Sequence, residues 1–333
     1  MSSGLRVGDV VVPGRVWLAP MTGVSDLAFR KIASALGAPY VATEMVAAEP
    51  LARGRPDVLR RAAVGDGLPL MVVQLVGRDP EWIAAGARAA VAAGAHIIDL
   101  NFSCPAKAVA GRLCGAALMR EPERARALVE AAAEAAHRPV TVKMRLGWDE
   151  ALRNAVEMAL IAESAGAQAL TIHARTRSQF YSGAADWEAV AAVKRAVSIP
   201  VIVNGDVLDV AGARQALARS GADAVMIGRG AIGRPWAAAE IDAGLQGQPF
   251  TAPAGEAVAD IIGRQLRESL ALYGERPGVR MFRKHLAAYV DHNGVGPAEA
   301  RRQLRARLCR IDDSASLAPE IAHAFAPVWR LAA

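Results

Sequence analysis

Residues 97–118 combine an apolar run with a side-chain amide, a thiol and two cations in one short stretch. Ile97, Ile98 and Leu100 give the brief apolar run of a buried strand. Asn101 and Cys104 follow at its end, and Pro105 stops it. Lys107 and Arg112 stand a few residues further on, and a nearby cation favours the thiolate form of a cysteine. Gly111 and Gly115 keep the loop free of bulk. Most free cysteines are small core hydrophobes, and Cys104 in isolation reads the same way. Its place at the C-terminal end of a strand, beside Asn and Lys, points instead to chemistry.

The same join of an apolar run to a polar terminus recurs along the chain. Pro20, Met21 and Thr22 follow a first run, Glu44 and Met45 end a second, and Gln74 ends a third. Lys143 and Arg145 end the fifth, His173 and Arg175 the sixth. Asn204-Gly205-Asp206 and Gly228-Arg229-Gly230 follow the seventh and eighth. Packing alone asks for no such coincidence, which marks a site. The last two loops suit a phosphate held on backbone amides, with Arg229 as a bidentate partner. Gln74 can donate to and accept from a heterocycle edge. Lys143 places a cation where a ring could become anionic. Together these residues suit a flavin mononucleotide, FMN. No metal centre competes, because the six histidines (His96, His137, His173, His285, His292, His323) are scattered.

Eight strands are needed to carry these residues. They are expected at Val16–Pro20, Tyr40–Met45, Leu70–Leu75, Ile97–Asn101, Val140–Leu146, Ala169–His173, Val201–Asn204 and Ala224–Ile227. Alanine-rich helices are expected between most of them, at Pro80–Ala93, Glu121–Ala136, Ala151–Ala165, Trp187–Val197 and Val210–Ser220. Gly94, Gly166 and Gly221 suit the left-handed position that closes a helix and turns the chain into a strand. A small hairpin over 7–12 and 15–19 is expected around Pro13-Gly14. Eight strands alternating with helices predict an α/β chain with a (β/α)8 barrel, the TIM barrel. A doubly wound open sheet is the alternative, but no GxGxxG follows the first strand.

After Pro253 the pattern becomes wholly helical, over Glu256–Tyr273, Val279–Asn293, Pro297–Ile311 and Leu317–Leu331. The chain therefore divides into a barrel, 1–252, and a small all-helical domain, 253–333. The helical part carries 12 Arg and Lys against 9 Asp and Glu. Its cations include Arg280, Arg283, Lys284, Arg301, Arg302, Arg305 and Arg307, which read either as a solvated face or as a surface for a polyanion.

The whole chain of 333 residues has a net charge of +6, with 53% hydrophobic and 22% charged residues. That composition belongs to a globular chain. No apolar stretch is long enough to span a membrane, and the first ten residues lack a signal-peptide core. Three cysteines form no disulfide or CxxC pattern, which predicts a cytoplasmic protein. A monomer with no obligate protein partner is expected.

The motifs, taken together, resemble the tRNA-dihydrouridine synthase family, in its bacterial branch similar to the nitrogen-regulation-operon protein. The matching phrases are Ala19–Asp26, Asn101–Pro105, Lys143–Trp148, His173–Arg177, Gln179–Gly183, Ala185–Trp187, Asn204–Val207 and Ile227–Gly230, with Phe282–His285 in the helical part. The resemblance covers about residues 10–310. It implies that Pro20, Met21, Thr22, Gln74, Lys143, His173, Asn204, Gly205, Asp206, Gly228 and Arg229 bind FMN. It further implies that Asn101 and Arg175 face the target uracil, that Cys104 is the general acid, and that Arg280, Arg283 and Lys284 contact tRNA. NADPH would be the reductant. The expected reaction saturates the C5=C6 bond of one uridine, with hydride to C6 and a proton to C5 from the opposite face. An ordinary thiol, with a pKa of about 8.5, is mostly protonated at neutral pH and can give that proton. One departure stands out: the family usually has Gly before this cysteine, and here Ser103 adds a hydroxymethyl group. Two other readings compete. One is an FMN barrel acting on a free pyrimidine, like a dihydroorotate dehydrogenase, which would not need the basic helices. The other is a catalytically silent tRNA-binding or regulatory protein, against which Cys104, Lys143 and His173 stand.

Overall fold

The protein was analysed as a computed structural model that describes residues 4–63, 65, 68–111, 113–294 and 296–325. Arg112 and the end of the helix expected over Leu317–Leu331 lie outside these residues.

Strands β1 (Leu5–Val7) and β2 (Val10–Val12) form an antiparallel hairpin. Its turn is at Gly8-Asp9, five residues before the expected Pro13-Gly14, so the segment expected as the first strand holds the turn and the second strand instead; Gly8 supplies the left-handed φ of +58° that a tight turn needs. The chain then enters a parallel sheet of β3 (Val16–Leu18), β4 (Tyr40–Val41), β5 (Val46–Ala47), β6 (Val72–Val76), β7 (Ile97–Phe102), β8 (Val140–Arg145), β9 (Ala169–His173), β10 (Val201–Asn204) and β11 (Ala224–Ile227). The order runs β4-β3-β11-β10-β9-β8-β7-β6-β5.

The two ends of that order belong to one stave. Residues 40–47 pair with β3 through Tyr40 and Val41, and with β6 through Val46 and Ala47. These pairs, with one further isolated bridge from Ala42 to Val72, close the circle. The stave breaks at Thr43, whose hydroxyl takes a ladder position: it accepts the Gln74 N–H at 3.0 Å and donates to the Glu44 carbonyl at 2.7 Å. The molecule is thus an eight-stave TIM barrel followed by a helical tail.

Period-two alternation sorts each stave into two layers. On β7, Ile98, Leu100 and Phe102 pack outward under the helices, while Ile97, Asp99 and Asn101 point into the barrel. On β8, Val140, Val142 and Met144 pack outward, leaving Thr141, Lys143 and Arg145 inside. The lower interior is apolar: Trp17 stacks on Tyr40 at 4.2 Å, and the hairpin plugs that end with Val7 and Val12. The polar layers lie above, at the C-terminal mouth. The helices close as expected, with Gly94, Gly166 and Gly221 at positive φ.

The tail helices span Glu256–Tyr273, Glu275–Asn293, Ala298–Leu308 and Ser314–Ala324. Their shared core includes Phe282, Leu286, Leu308 and Leu317, and it continues into the barrel through Ile32 and Trp236. Gly233, at φ +78°, sits against helix 275–293 so closely that a Cβ there would lie 2.4 Å from the Ala288 carbonyl oxygen. Among the described residues no helix is long and apolar enough to cross a membrane.

Candidate active site

A cavity of about 520 Å³ opens at the C-terminal mouth. Every residue expected at the cofactor lines it, from Pro20, Met21 and Thr22 through Gln74, Lys143 and His173 to Asn204, Gly205, Asp206, Gly228 and Arg229. Asn101 and Cys104 line it as well. Strand register explains this convergence, since Asn101 is paired with Lys143, and His173 with both Arg145 and Asn204.

A chain of buried polar groups fixes the cysteine loop. Asp99 accepts from Thr141 Oγ1 and Gln74 Nε2, both at 2.6 Å. Gln74 Oε1 accepts from Asn101 Nδ2 at 2.7 Å. Asn101 Oδ1 then accepts the backbone N–H of Ser103 at 3.1 Å and of Cys104 at 2.9 Å. One asparagine therefore shapes the turn that presents the thiol. Gly115, at φ +59°, lets the returning chain press on that turn, because a Cβ there would stand 2.9 Å from the Cys104 carbonyl oxygen. Lys107, one of the two cations expected near the thiol, is exposed on the following short helix. The cations nearer Cys104 are Lys143 and Arg145, whose charges couple to it.

Ser103 causes no backbone strain. It is not among the residues at positive φ, so the turn does not require glycine. Its hydroxyl accepts from Lys143 Nζ at 3.3 Å, and its carbonyl accepts from Arg145 Nε at 2.8 Å. Lys143 also donates to Asn204 Oδ1 at 3.2 Å.

The electrostatics follow from burial. Desolvation, and then the Arg145 charge, bring the Lys143 ammonium down to about 7. Burial pushes the Asp99 carboxyl up to about 6. Burial and the surrounding cations hold His173 well below the ordinary imidazole range, so it is neutral at pH 7. The cavity floor is therefore cation-rich and poor in compensating carboxylates.

Arg175 is placed differently from the residues around it. It is buried behind the wall, where it donates to the Ser182 and Gly183 carbonyls and, at 2.5 Å, to Asp206 Oδ2. Asp206 in turn accepts from Arg229 Nη2 at 3.3 Å. Arg175 does not line the cavity; Arg145 and Tyr181 do. Arg145 was legible two residues beyond Lys143 on the same face of β8. Arg145 Nη1 donates to the carbonyls of Thr176 and Phe180, both at 2.9 Å. It thereby holds Phe180 at a strained φ of +52° and Tyr181 at the mouth.

In the tail, Lys284 reaches the mouth, its Nζ 3.4 Å from where a Cβ on Gly23 would stand. Arg280 is exposed. Arg283 is committed elsewhere, to Asp312 and the Ile311 carbonyl. Arg302, Arg305 and Arg307 each face a carboxylate, of Glu299, Asp291 and Glu320, so much of the helical charge is neutralised within the tail.

The model of the dihydrouridine synthase family matches residues 17–326. The chain belongs to the dihydrouridine synthase family. Members of that family are oxidoreductases, and this one carries the family's barrel and helical tail. It is 46% identical over 313 residues to a probable tRNA-dihydrouridine synthase of Rhodobacter capsulatus, covering 93% of this chain and 94% of that one. It is 40% identical over 326 residues to tRNA-dihydrouridine synthase B of Pseudomonas aeruginosa, covering 97% and 96%. Among solved structures, morphinone reductase superposes with a TM-score of 0.52 at 15% identity, covering 77% of this chain and 93% of that one. A 2-naphthoyl-CoA reductase superposes at 0.58 with 12% identity, covering 74% and 52%. These two likenesses concern the barrel fold alone.

Proposed function

We propose that this dihydrouridine synthase reduces the C5=C6 bond of a uridine in tRNA, with FMN in the barrel mouth and NADPH as the external reductant. The observation that carries the reading is the meeting of a thiol with a cation-rich, amide-rich floor in one cavity. Cys104 lies on one side, and the loops of Asn204–Asp206 and Gly228–Arg229 lie on the other. The donor set fits FMN. Lys143 is a buried cation whose hydrogen-bond partners, Ser103 and Asn204, are neutral, which suits a ring that gains negative charge. Arg229 is 60% exposed and held by one 3.3 Å bond to Asp206, so it can turn to a phosphate. FMN, when bound, supplies the hydride.

The chain's own residues do the rest. Cys104 Sγ delivers the proton to C5, on a turn held by Asn101 Oδ1. Arg145 and Tyr181 flank the space a flipped-out base would enter, and Arg175 acts from behind, by fixing Asp206. Extruding the base costs a few kcal/mol, which cationic contacts beyond the mouth offset. Arg280 and Lys284 serve there, while Arg283 braces the tail. The helical segment 253–333 is read as the tRNA-binding domain and 1–252 as the catalytic one.

The deciding experiment is dihydrouridine mapping, position by position, in tRNA from cells with and without this gene. Loss at one uridine is the expected result. An unchanged map, in cells with no second synthase, would sink the reading.

A further inference from the structure

We propose that Arg120, Trp148 and Arg177 form a second RNA-docking patch, on the barrel rim across the mouth from the helical tail. The proposal rests on the tRNA reading above and extends it to a surface of the barrel itself.

The three residues come from three successive loops. Arg120 ends the 3-10 turn Gly115–Arg120 after β7, Trp148 follows β8, and Arg177 follows β9. The Arg120 guanidinium lies 3.9 Å from the Trp148 ring centre, and that of Arg177 lies 4.5 Å from the same ring. Arg177 also reaches the Phe180 ring, at 5.3 Å, and Phe180 lines the cavity. The loops are laced by backbone bonds, Arg177 N–H to the Gly147 carbonyl and Ser178 N–H to the Trp148 carbonyl, both 2.9 Å. The patch is therefore preorganised and runs from the outer rim to the cavity edge.

Its charge is uncompensated. Among the described residues neither guanidinium has a salt-bridge partner. Asp149, the adjacent acid, is turned to the N–H groups of Ala151 and Leu152, each at 3.0 Å. The arginines over two other tryptophans differ. Arg219 lies over Trp187 but pairs with Glu188 at 3.2 Å, and Arg53 lies over Trp82 but pairs with Glu49 at 3.0 Å. Those two stacks are closed within the protein. At Trp148 two like charges meet on one ring, an arrangement that an arriving anion relieves.

Position decides which anion. In the circular stave order β8 stands opposite β3, and Lys284 lies beside Gly23 in the loop after β3. A nucleotide drawn into the cavity has a strand leaving it on each side. The tail reaches one side, and the Arg–Trp–Arg patch faces the other. Guanidiniums grip phosphates bidentately, and an indole offers a stacking face to a base.

The test uses the full-length flavoprotein and an unmodified tRNA transcript, with affinity measured by fluorescence anisotropy across a salt series. Arg120→Gln with Arg177→Gln should weaken binding about tenfold at 0.15 M salt. It should also flatten the log–log salt slope by about two, one for each lost phosphate contact. Arg219→Gln, the internally paired stack, should leave both unchanged. Bound flavin, read from the visible spectrum, should be equal in all three. Arg120→Gln alone, at an exposed site, should give about half the slope change and guards against misfolding of the double variant. Wild-type affinity and slope in the double variant would overturn the proposal. So would unchanged tRNA binding with a raised NADPH requirement for flavin reduction, which would assign the patch to the reductant. A wild-type protein that binds no tRNA at any salt would instead overturn the underlying reading.

Discussion

The side chain of Asn101 does two jobs at once. Its oxygen gathers the N–H groups of Ser103 and Cys104, and its amide nitrogen is tied through Gln74 to buried Asp99. The thiol is aimed by that chain rather than by its own contacts, so removing it should spare its surroundings. Cys104→Ala is expected to keep bound flavin and to cut dihydrouridine formation by about 100-fold or more, the usual worth of a placed general acid, as read by nucleoside mass spectrometry. Flavin loss in that variant would mean a structural cysteine. Lys143 gives a pH signature. Its folded pKa is about 7, against the ordinary 10.5. Between those values the unfolded chain holds more protons at this site, so its contribution to stability rises with pH through the window and is least favourable below pH 7. Lys143→Met should therefore make the slope of unfolding free energy between pH 7 and 9 less positive, as denaturant titration of the flavin-free protein would show.

At the scale of elements, the strand ends could be read from sequence because period two leaves no alternative for Lys143 and Arg145. Both must share the inner face of β8 once Val142 and Met144 pack outward. The helix closures at Gly94, Gly166 and Gly221 were legible for a similar local reason. Other features depend on distant partners and were not legible. Arg175 was expected at the substrate, but Asp206, 31 residues on, draws it behind the wall. Arg283, expected to contact RNA, pairs at the surface with Asp312, 29 residues on, a partner that its local sequence does not announce. The break in the second stave turns on a hydroxyl acting in place of backbone, which no periodicity reveals. Thr43→Val keeps the shape and removes that hydroxyl, leaving the buried Gln74 N–H without its acceptor. A loss of about 1–3 kcal/mol is expected, measurable by thermal or denaturant unfolding.

For the molecule as a whole, barrel and tail are joined by a shared core and by one close backbone approach at Gly233. Asn293 Nδ2 secures it by donating to the Gly233 carbonyl at 2.8 Å. Gly233→Ala would drive a methyl group into the Ala288 carbonyl, where neither backbone can yield cheaply. It should cost about 1–3 kcal/mol and weaken tRNA binding several-fold by shifting the helix that carries Arg280 and Lys284. Flavin content should hold, because the residues proposed to hold the cofactor all lie on barrel strands and the loops that follow them; parallel loss of flavin would show that tail docking and the cavity are one cooperative unit.

The single bridge between Ala42 and Val72 has a consequence in time rather than in space. Five of the eight staves are zipped to both neighbours along uninterrupted ladders, whereas the second is split, meets β3 over two residue pairs and β6 over two more and one isolated bridge, and leans on a side chain at its middle. Local opening begins where backbone bonds are fewest. The amides around Thr43–Met45 should then exchange with solvent deuterium well before those of β7 and β8, although Thr43 and Glu44 are as buried as those strands. A barrel that unzips there first would open beside Met45 and Gln74 at the cavity wall, so its most frequent breathing and its access to large ligands would share one hinge line.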